Sequence, residues 1–218
     1  MIKEMNKLSN KNDWFFIRNI IIFYSVGIIG FSINYTHKLF TFLSPIILIL
    51  TLCLLFFYDR KATDKKRIIY FSFIFLSSFI IEMIGVNTGL LFGDYQYSHG
   101  LGIKLYNTPL LIGINWILII YITSSIFTKL KYNFVSQVII PSGLMIIYDI
   151  IMERAAPSME MWSWSNNIPL QNFIMWGFLA VFFHSIRYFS KIEIKNKMAI
   201  PIYLAQIILF VFIILIKH

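Results

Sequence analysis

Seven long apolar runs, separated by shorter polar segments, make up most of the chain. Each run is close to the ~17–25 residues that a helix needs to cross the hydrocarbon core of a bilayer. The runs are continuous rather than alternating, which favours helices over the strands of a membrane barrel. The pattern predicts an all-α polytopic membrane bundle of about seven transmembrane helices. Their expected positions are Ile17–Ile33, Leu39–Tyr58, Ile68–Gly85, Pro109–Phe127, Phe134–Met152, Asn172–Phe189 and Ile200–Ile216.

Composition agrees with a membrane protein. Of the 218 residues, 58% are hydrophobic and only 13% are charged, whereas about a quarter of a soluble domain is charged. We expect residues 1–218 to form a single integral membrane domain. We expect no cleavable signal peptide, because residues 1–16 are polar and the first run has no small-residue cleavage site. The single cysteine, Cys53, excludes an intramolecular disulfide and is predicted to serve packing.

Basic residues predict how the bundle is oriented. With the N-terminus in the cytoplasm, fifteen of the 19 Lys and Arg residues fall on inner segments, as the positive-inside rule requires. The pattern therefore predicts a multi-pass protein of the inner cell membrane. The net charge of +9 reflects this topology and attraction to anionic lipid. Nucleic acid is not an expected partner, because the basic residues flank the spans and form no separate domain. The inner segments include Arg60, Lys61, Lys129 and Lys131.

Five acidic residues fall on the predicted outer side. Glu82 and Asp149 lie near the ends of two apolar runs, and Asp94, Glu153 and Glu160 lie in the segments that follow. A carboxylate at membrane depth costs at least a few kcal/mol, so such residues are functional candidates. Asp149 and Glu153 are four residues apart and share a face of a continuous helix. We expect them to point into the bundle. The alternative is that they are solvated at the membrane interface.

Aromatic and amide residues gather at the same end. Aromatic belts and helix packing are ordinary roles for such residues. An aromatic face also stabilises a cation by ~0.5–2 kcal/mol, so aromatic residues beside buried acids suit chemistry that passes through a carbocation. We predict that the following residues bind substrate or water: Asn87, Tyr95, Tyr97, Asn115, Trp116, Trp162, Trp164, Asn172 and Trp176.

Two motifs carry a family resemblance. The first is Glu82-x-x-Gly85-Val86-x-Thr88-Gly89-x-x-Phe92-Gly93-x-Tyr95-x-Tyr97, followed by Leu101-Gly102, Pro109 and Trp116. The second is Asp149, then Trp162-x-Trp164, then Ile168-Pro169-x-x-Asn172-Phe173-x-x-Trp176. Over roughly residues 68–187 the chain resembles the membrane-embedded carotenoid biosynthesis family, which includes bisanhydrobacterioruberin hydratases and γ-carotene or lycopene hydratases. It departs from the expected pattern at Asn167 and Met175, where glycine is expected, and at Pro157, which lies farther behind Glu153 than expected.

The resemblance implies addition of water to the terminal isoprenoid double bond of an acyclic carotenoid end, which gives a tertiary alcohol. It implies no cofactor and no metal. The acid must be uncharged yet able to donate, and burial of a carboxyl group favours that form. Asp149 is the expected acid, with Glu153 in reserve, and Glu82 or Asp94 would position the water. The amides expected to orient the water or polarise the acid are Asn115 and Asn172.

The expected partners are a membrane-dissolved carotenoid and the lipid bilayer, with other carotenoid-pathway enzymes as candidates. Three alternatives remain open. A carotenoid end-group cyclase would make the same cation but exclude water. A prenyl-diphosphate transferase would use Asp149-x-x-x-Glu153 as half of a magnesium site. A small membrane transporter would use the buried acids as a proton relay, although no inverted repeat is visible.

Overall fold

A computed structural model describes residues 2–59, 64–127 and 132–217, with side chains described from residue 14 to residue 216 within these ranges. Four of the inner-segment basic residues, Arg60, Lys61, Lys129 and Lys131, lie outside the described residues.

The described chain forms seven α-helices, one at each predicted position. They are α1 (Ile2–Ser32), α2 (Asn34–Phe57), α3 (Lys65–Thr88), α4 (Leu111–Ile126), α5 (Ile140–Ala155), α6 (Leu170–Phe189) and α7 (Ala199–Lys217). A short π-helix, Val135–Ile139, leads into α5. Helix α1 begins well before the predicted Ile17, because residues 2–16 contain neither glycine nor proline to stop it.

Five helical segments of the described chain are long and apolar enough to cross a membrane: Trp14–Ser32, Asn34–Phe57, Lys65–Thr88, Val135–Ala155 and Ala199–Ile216. Helix α4 is apolar but has only 16 residues. Helix α6 is less apolar because it carries Asn172, His184 and Arg187 on its buried side. The predicted fold class, an all-α helical membrane bundle, is confirmed.

Helix α4 is the centre of the bundle. It packs against α2, α3, α5, α6 and α7, while α1 packs on α2 and α7 at one side. Nearly every side chain of α4 is buried, which explains why this helix is apolar all the way round. Trp116, Ile120 and Tyr121 are fully buried. A residue placed on α4 is therefore enclosed by protein rather than by lipid.

Two segments that follow α3 and α5 pair as short strands. Strand β1 (Tyr95–Tyr97) lies antiparallel to β4 (Trp162–Trp164), with Tyr95 opposite Trp164 and Tyr97 opposite Trp162. Strands β2 (Lys104–Leu105) and β3 (Thr108–Pro109) form a separate hairpin between them. The β1–β4 pair joins the ends of two helices that are distant in sequence.

Two expectations need correction. Glu153 lies inside α5 rather than in the segment that follows it, because the helix continues beyond the predicted end at Met152 until Ala155, just before Pro157. Cys53 is exposed on the surface of α2 rather than packed in the interior.

A polar network closes the opposite end of the bundle. Asp59 forms an ion pair with Arg67, and both side chains are almost fully buried. Tyr121 of α4 donates a hydrogen bond to Asp59 at 2.7 Å, and the side-chain amide of Asn196 donates to the Tyr121 hydroxyl at 3.0 Å. These contacts tie the segments before α3 and α7 to the central helix.

Two glycines differ in how much space surrounds them. A Cβ atom on Gly100 would lie 2.6 Å from the carbonyl oxygen of Glu160 and 2.7 Å from that of Met159, and the Gly100 amide donates to Glu160 at 2.7 Å. Gly100→Ala must therefore displace the segment that precedes β4. A Cβ atom on Gly143 in α5 would meet nothing within 4 Å in the described structure, and alanine is better than glycine in a helix by about 0.5–1 kcal/mol.

We expect Gly100→Ala to lower the melting temperature of the protein in detergent micelles, whereas Gly143→Ala should maintain or raise it. Thermal unfolding followed by circular dichroism measures both variants. Equal melting temperatures for the two variants would contradict the close docking of this loop.

Candidate functional site

Glu82 accepts three hydrogen bonds inside the bundle. The hydroxyl groups of Tyr95 and Tyr97 donate to its Oε2 at 2.7 and 2.8 Å, and the Trp116 indole donates to its Oε1 at 3.0 Å. Tyr95 and Tyr97 reach the same carboxylate because side chains two residues apart in a strand lie on one face. The Glu82 side chain is buried, near the end of α3.

Glu153 also accepts three hydrogen bonds, from donors that follow it in the chain. The indoles of Trp162 and Trp164 both donate to its Oε2, at 2.8 and 2.7 Å. The side-chain amide of Asn172 donates to Oε1 at 3.3 Å. Here too, alternation along a strand delivers two aromatic donors to one carboxylate.

Asp149 lies one turn before Glu153 on the same face of α5, as the four-residue spacing predicts. Its Oδ2 accepts from the same Asn172 nitrogen at 3.2 Å. Its Oδ1 is buried and has no hydrogen-bond partner among the described residues. An unpaired buried polar atom costs about 1–3 kcal/mol, so Asp149 is the least satisfied of the three carboxyl groups.

The β1–β4 pair places four aromatic side chains against Glu82 and Glu153. We call Tyr95, Tyr97, Trp162 and Trp164 the aromatic cover. Its ring centroids lie 5.1 Å apart for Tyr95 and Trp164 and 6.1 Å apart for Tyr97 and Trp162. Burial, and then the charge of Glu82, raise the pKa of both tyrosine hydroxyl groups well above the ordinary value. Both phenols therefore stay protonated and act as donors.

Two tryptophans form a second aromatic element beside the carboxyl groups. Trp116 of α4 and Trp176 of α6 are stacked, with ring centroids 4.2 Å apart and an interplanar angle of 21°. Both side chains are almost fully buried. Because Trp116 also donates to Glu82, the stack is fixed against the carboxylate.

A cavity lies next to this site. Its wall is mostly apolar and comes from α1, α2, α4, α5, α7 and the segment before β4. Trp162 lines the cavity and donates to Glu153, so its indole lies between the cavity and the carboxylate cluster. Phe23 also lines the cavity and is 40% exposed, so the wall continues to the outer surface of the bundle. The mostly apolar lining is typical of a site for an apolar ligand.

The structure brings together most of the predicted residues. Glu82, Asp149 and Glu153 are buried together with Asn172, the aromatic cover and the Trp116–Trp176 stack. Asn115 is buried and lines the cavity. Glu160 is half exposed, with its carboxylate 3.9 Å from the ring of His37.

Two predicted residues lie apart from the cluster. Asp94 is exposed in the segment before β1. Asn87 is exposed and stabilises the loop, because its amide donates to the carbonyl groups of Met83 at 2.7 Å and Tyr106 at 2.9 Å. Neither side chain joins the three buried carboxyl groups.

Sequence reasoning missed four polar residues of the cavity wall: Tyr24, Ser44, Tyr148 and Gln206. Gln206 carried a signal, because a glutamine within a strongly apolar run has to be buried by protein. Within the described ranges, no group of three or more His, Cys, Asp or Glu side chains is placed to hold a metal ion.

The donors to Glu82 can be tested individually. Tyr97→Phe removes one hydrogen bond from a buried carboxylate, and we expect the free energy of unfolding to fall by about 1–3 kcal/mol. Gln96→Ala is the matched control on the exposed face of the same strand, and it should change stability by less than about 0.5 kcal/mol. Denaturant titration in detergent measures both. Equal stabilities would show that the Tyr97 bond contributes nothing.

Comparison with known proteins identifies the family. A family model described as "Carotenoid biosynthesis protein" matches residues 43–217. Neither the curated proteins nor the solved structures contain a match. The matched range includes the three buried carboxyl groups, the aromatic cover and the tryptophan stack, and it supports a role in carotenoid biosynthesis. The chain belongs to the family of carotenoid biosynthesis proteins.

Proposed function

We propose that the protein is a carotenoid hydratase, which adds water to the terminal isoprenoid double bond of an acyclic carotenoid end. The observation that carries the proposal is the placement of three buried carboxyl groups beside an apolar cavity, one of them with an unpaired oxygen. The apolar wall suits a polyene end, and the carboxyl groups supply the proton that an unactivated alkene requires.

Hydrogen bonding distinguishes the roles of the three acids. Glu82 and Glu153 each accept three hydrogen bonds, the pattern that favours an ionised carboxylate. Asp149 accepts one hydrogen bond and leaves Oδ1 open. Three negative charges in one buried site would be very costly, and Asp149 is the group with an oxygen available to carry a proton. Asp149 is therefore the proposed general acid.

The remaining groups stabilise the cation that protonation creates. Transfer of the Asp149 proton to the less substituted alkene carbon leaves a positive charge on the tertiary carbon. Ionised Glu82 and Glu153 lower the energy of that charge in a site that is shielded from bulk water. The faces of Trp116 and Trp176, together with the aromatic cover, add cation–π stabilisation.

Water then completes the reaction. Its oxygen forms a bond to the tertiary carbon, and one of its protons passes to the Asp149 carboxylate, which restores the acid. The sum is one alkene and one water giving one tertiary alcohol. Both carboxylates first expected to hold the water are less suitable, since Glu82 is occupied by three donors and Asp94 is exposed. No cofactor takes part in this scheme.

The proposed setting is the inner cell membrane, with the carboxyl groups near its outer face. The substrate is a carotenoid dissolved in the bilayer, which would enter along the cavity wall that reaches the surface at Phe23. Partners from the same pathway would deliver the acyclic substrate.

Asp149→Asn tests the assignment. In a host that makes acyclic carotenoids, we expect the full chain to yield pigment heavier by one water per hydrated end. Asp149→Asn should reduce that product at least about 100-fold, because general acid catalysis contributes that much or more. Mass analysis of extracted pigments gives the readout, and protein level in the membrane fraction shows whether the variant folds.

Glu193→Gln is the matched control, because the Glu193 side chain is exposed and lies outside the site. It should retain full activity. Full hydration by Asp149→Asn would refute the assignment of the acid. A wild-type product with unchanged mass but a new ring would indicate a cyclase, and no change in pigments together with solute uptake into liposomes would indicate a carrier.

A further inference from the structure

We infer that Tyr24, Tyr148 and Gln206, together with Asn115, hold the water that captures the cation and so decide between hydration and other outcomes. This inference rests on the proposed function. The four residues come from α1, α5, α7 and α4, and all of them line the cavity. None of the three residues Tyr24, Tyr148 and Gln206 belongs to the carboxylate cluster.

We call these four side chains the polar patch; most of the remaining wall is apolar. The Tyr148 hydroxyl donates to Gln206 Oε1 at 3.2 Å. The Tyr24 hydroxyl lies 3.3 Å from the Thr51 hydroxyl. Gln206 and Asn115 are each only 5% exposed. A hydrocarbon gains nothing from such groups, and burying them without a polar ligand is costly.

The patch lies next to the proposed acid. On α5, Tyr148 and Met152 line the cavity, while Asp149 and Glu153 on the adjacent face join the carboxylate cluster. On α4, Asn115 lines the cavity and its neighbour Trp116 bonds to Glu82. On both α4 and α5, a residue that lines the cavity therefore stands next to a residue that belongs to the carboxylate cluster.

The hydrogen-bonding capacity of the patch suits a water molecule. A glutamine or asparagine amide offers two donors and two acceptor lone pairs, and a tyrosine hydroxyl offers both roles. A buried water needs two to four polar partners. The Tyr148–Gln206 bond and the Tyr24–Thr51 contact leave enough of this capacity to bind one water in the cavity, where the apolar polyene end would lie against it.

The position of this water controls the product. After Asp149 protonates the alkene, a water held by the patch forms the C–O bond, and its proton returns to the Asp149 carboxylate. Without a held water, the cation loses a proton from a neighbouring carbon to the same carboxylate, which regenerates an alkene isomer. Alternatively, an internal double bond attacks the cation, and the ring cation that results loses a proton to the same carboxylate. The patch therefore sets the ratio of alcohol to alkene, while Asp149 sets the rate at which the cation forms.

Gln206→Leu and Tyr148→Phe test this inference in the pigment-producing host. We expect the ratio of hydrated to isomerised or cyclised product to fall about tenfold, the change that losing one hydrogen bond to the reacting water produces. Total conversion of the substrate should persist. Asp149→Asn, by contrast, should lower the yields of the hydrated, isomerised and cyclised products together. Chromatography with mass detection measures the ratio, and the membrane-fraction protein level reports folding.

Tyr203→Phe is the matched control. Tyr203 lies one turn before Gln206 on α7, and its hydroxyl donates to the Leu144 carbonyl at 2.9 Å rather than lining the cavity. It should leave the product ratio unchanged. An unchanged ratio in Gln206→Leu and Tyr148→Phe, with hydration by the wild type intact, would overturn the inference alone. Absence of any hydrated product from the wild type would overturn the proposed function instead.

Discussion

The architecture depends on satisfying carboxylates that are buried at the end of an apolar bundle. Glu82 and Glu153 each need several donors, and nearby lipid offers none. Tyrosine and tryptophan supply donors on large apolar rings, so they can be buried themselves while they bind the acids. The Tyr-x-Tyr and Trp-x-Trp segments, their pairing as β1 and β4, and the positions of Trp116 and Asn172 all follow from this requirement.

Much of this arrangement could be predicted from sequence. Continuous apolar runs predicted all seven helices, and the four-residue spacing placed Asp149 and Glu153 on one face. Two things could not be predicted. Strands β1 and β4 lie more than sixty residues apart, and no local pattern fixes which distant segment completes a short sheet. Glu82 and Asp94 were both candidates to position the water, but Glu82 lies on the buried face of α3, whereas Asp94 lies exposed in the segment before β1.

The polar residues of the cavity wall were also beyond prediction from sequence. Tyr24, Tyr148 and Gln206 come from the first, fifth and seventh helices, and each is an isolated polar residue in an apolar run. A single polar residue of this kind does not by itself indicate a site. Helix packing brings them together, and it sets them beside the face of α5 that carries the acids. One small bundle therefore holds, side by side, an apolar cavity with a polar patch and a cluster of acids with aromatic donors.

The donors to each buried acid lie close to it in the chain. Glu82 is satisfied by residues up to Trp116, and Glu153 by residues up to Asn172, so α3 to α4 and α5 to α6 each form a helical hairpin that carries its own hydrogen-bond partners. During synthesis, each hairpin can enter the bilayer with its acid already accommodated, before the other half leaves the ribosome. Pairing of β1 with β4 and stacking of Trp116 on Trp176 then join the two inserted hairpins around the buried carboxyl groups.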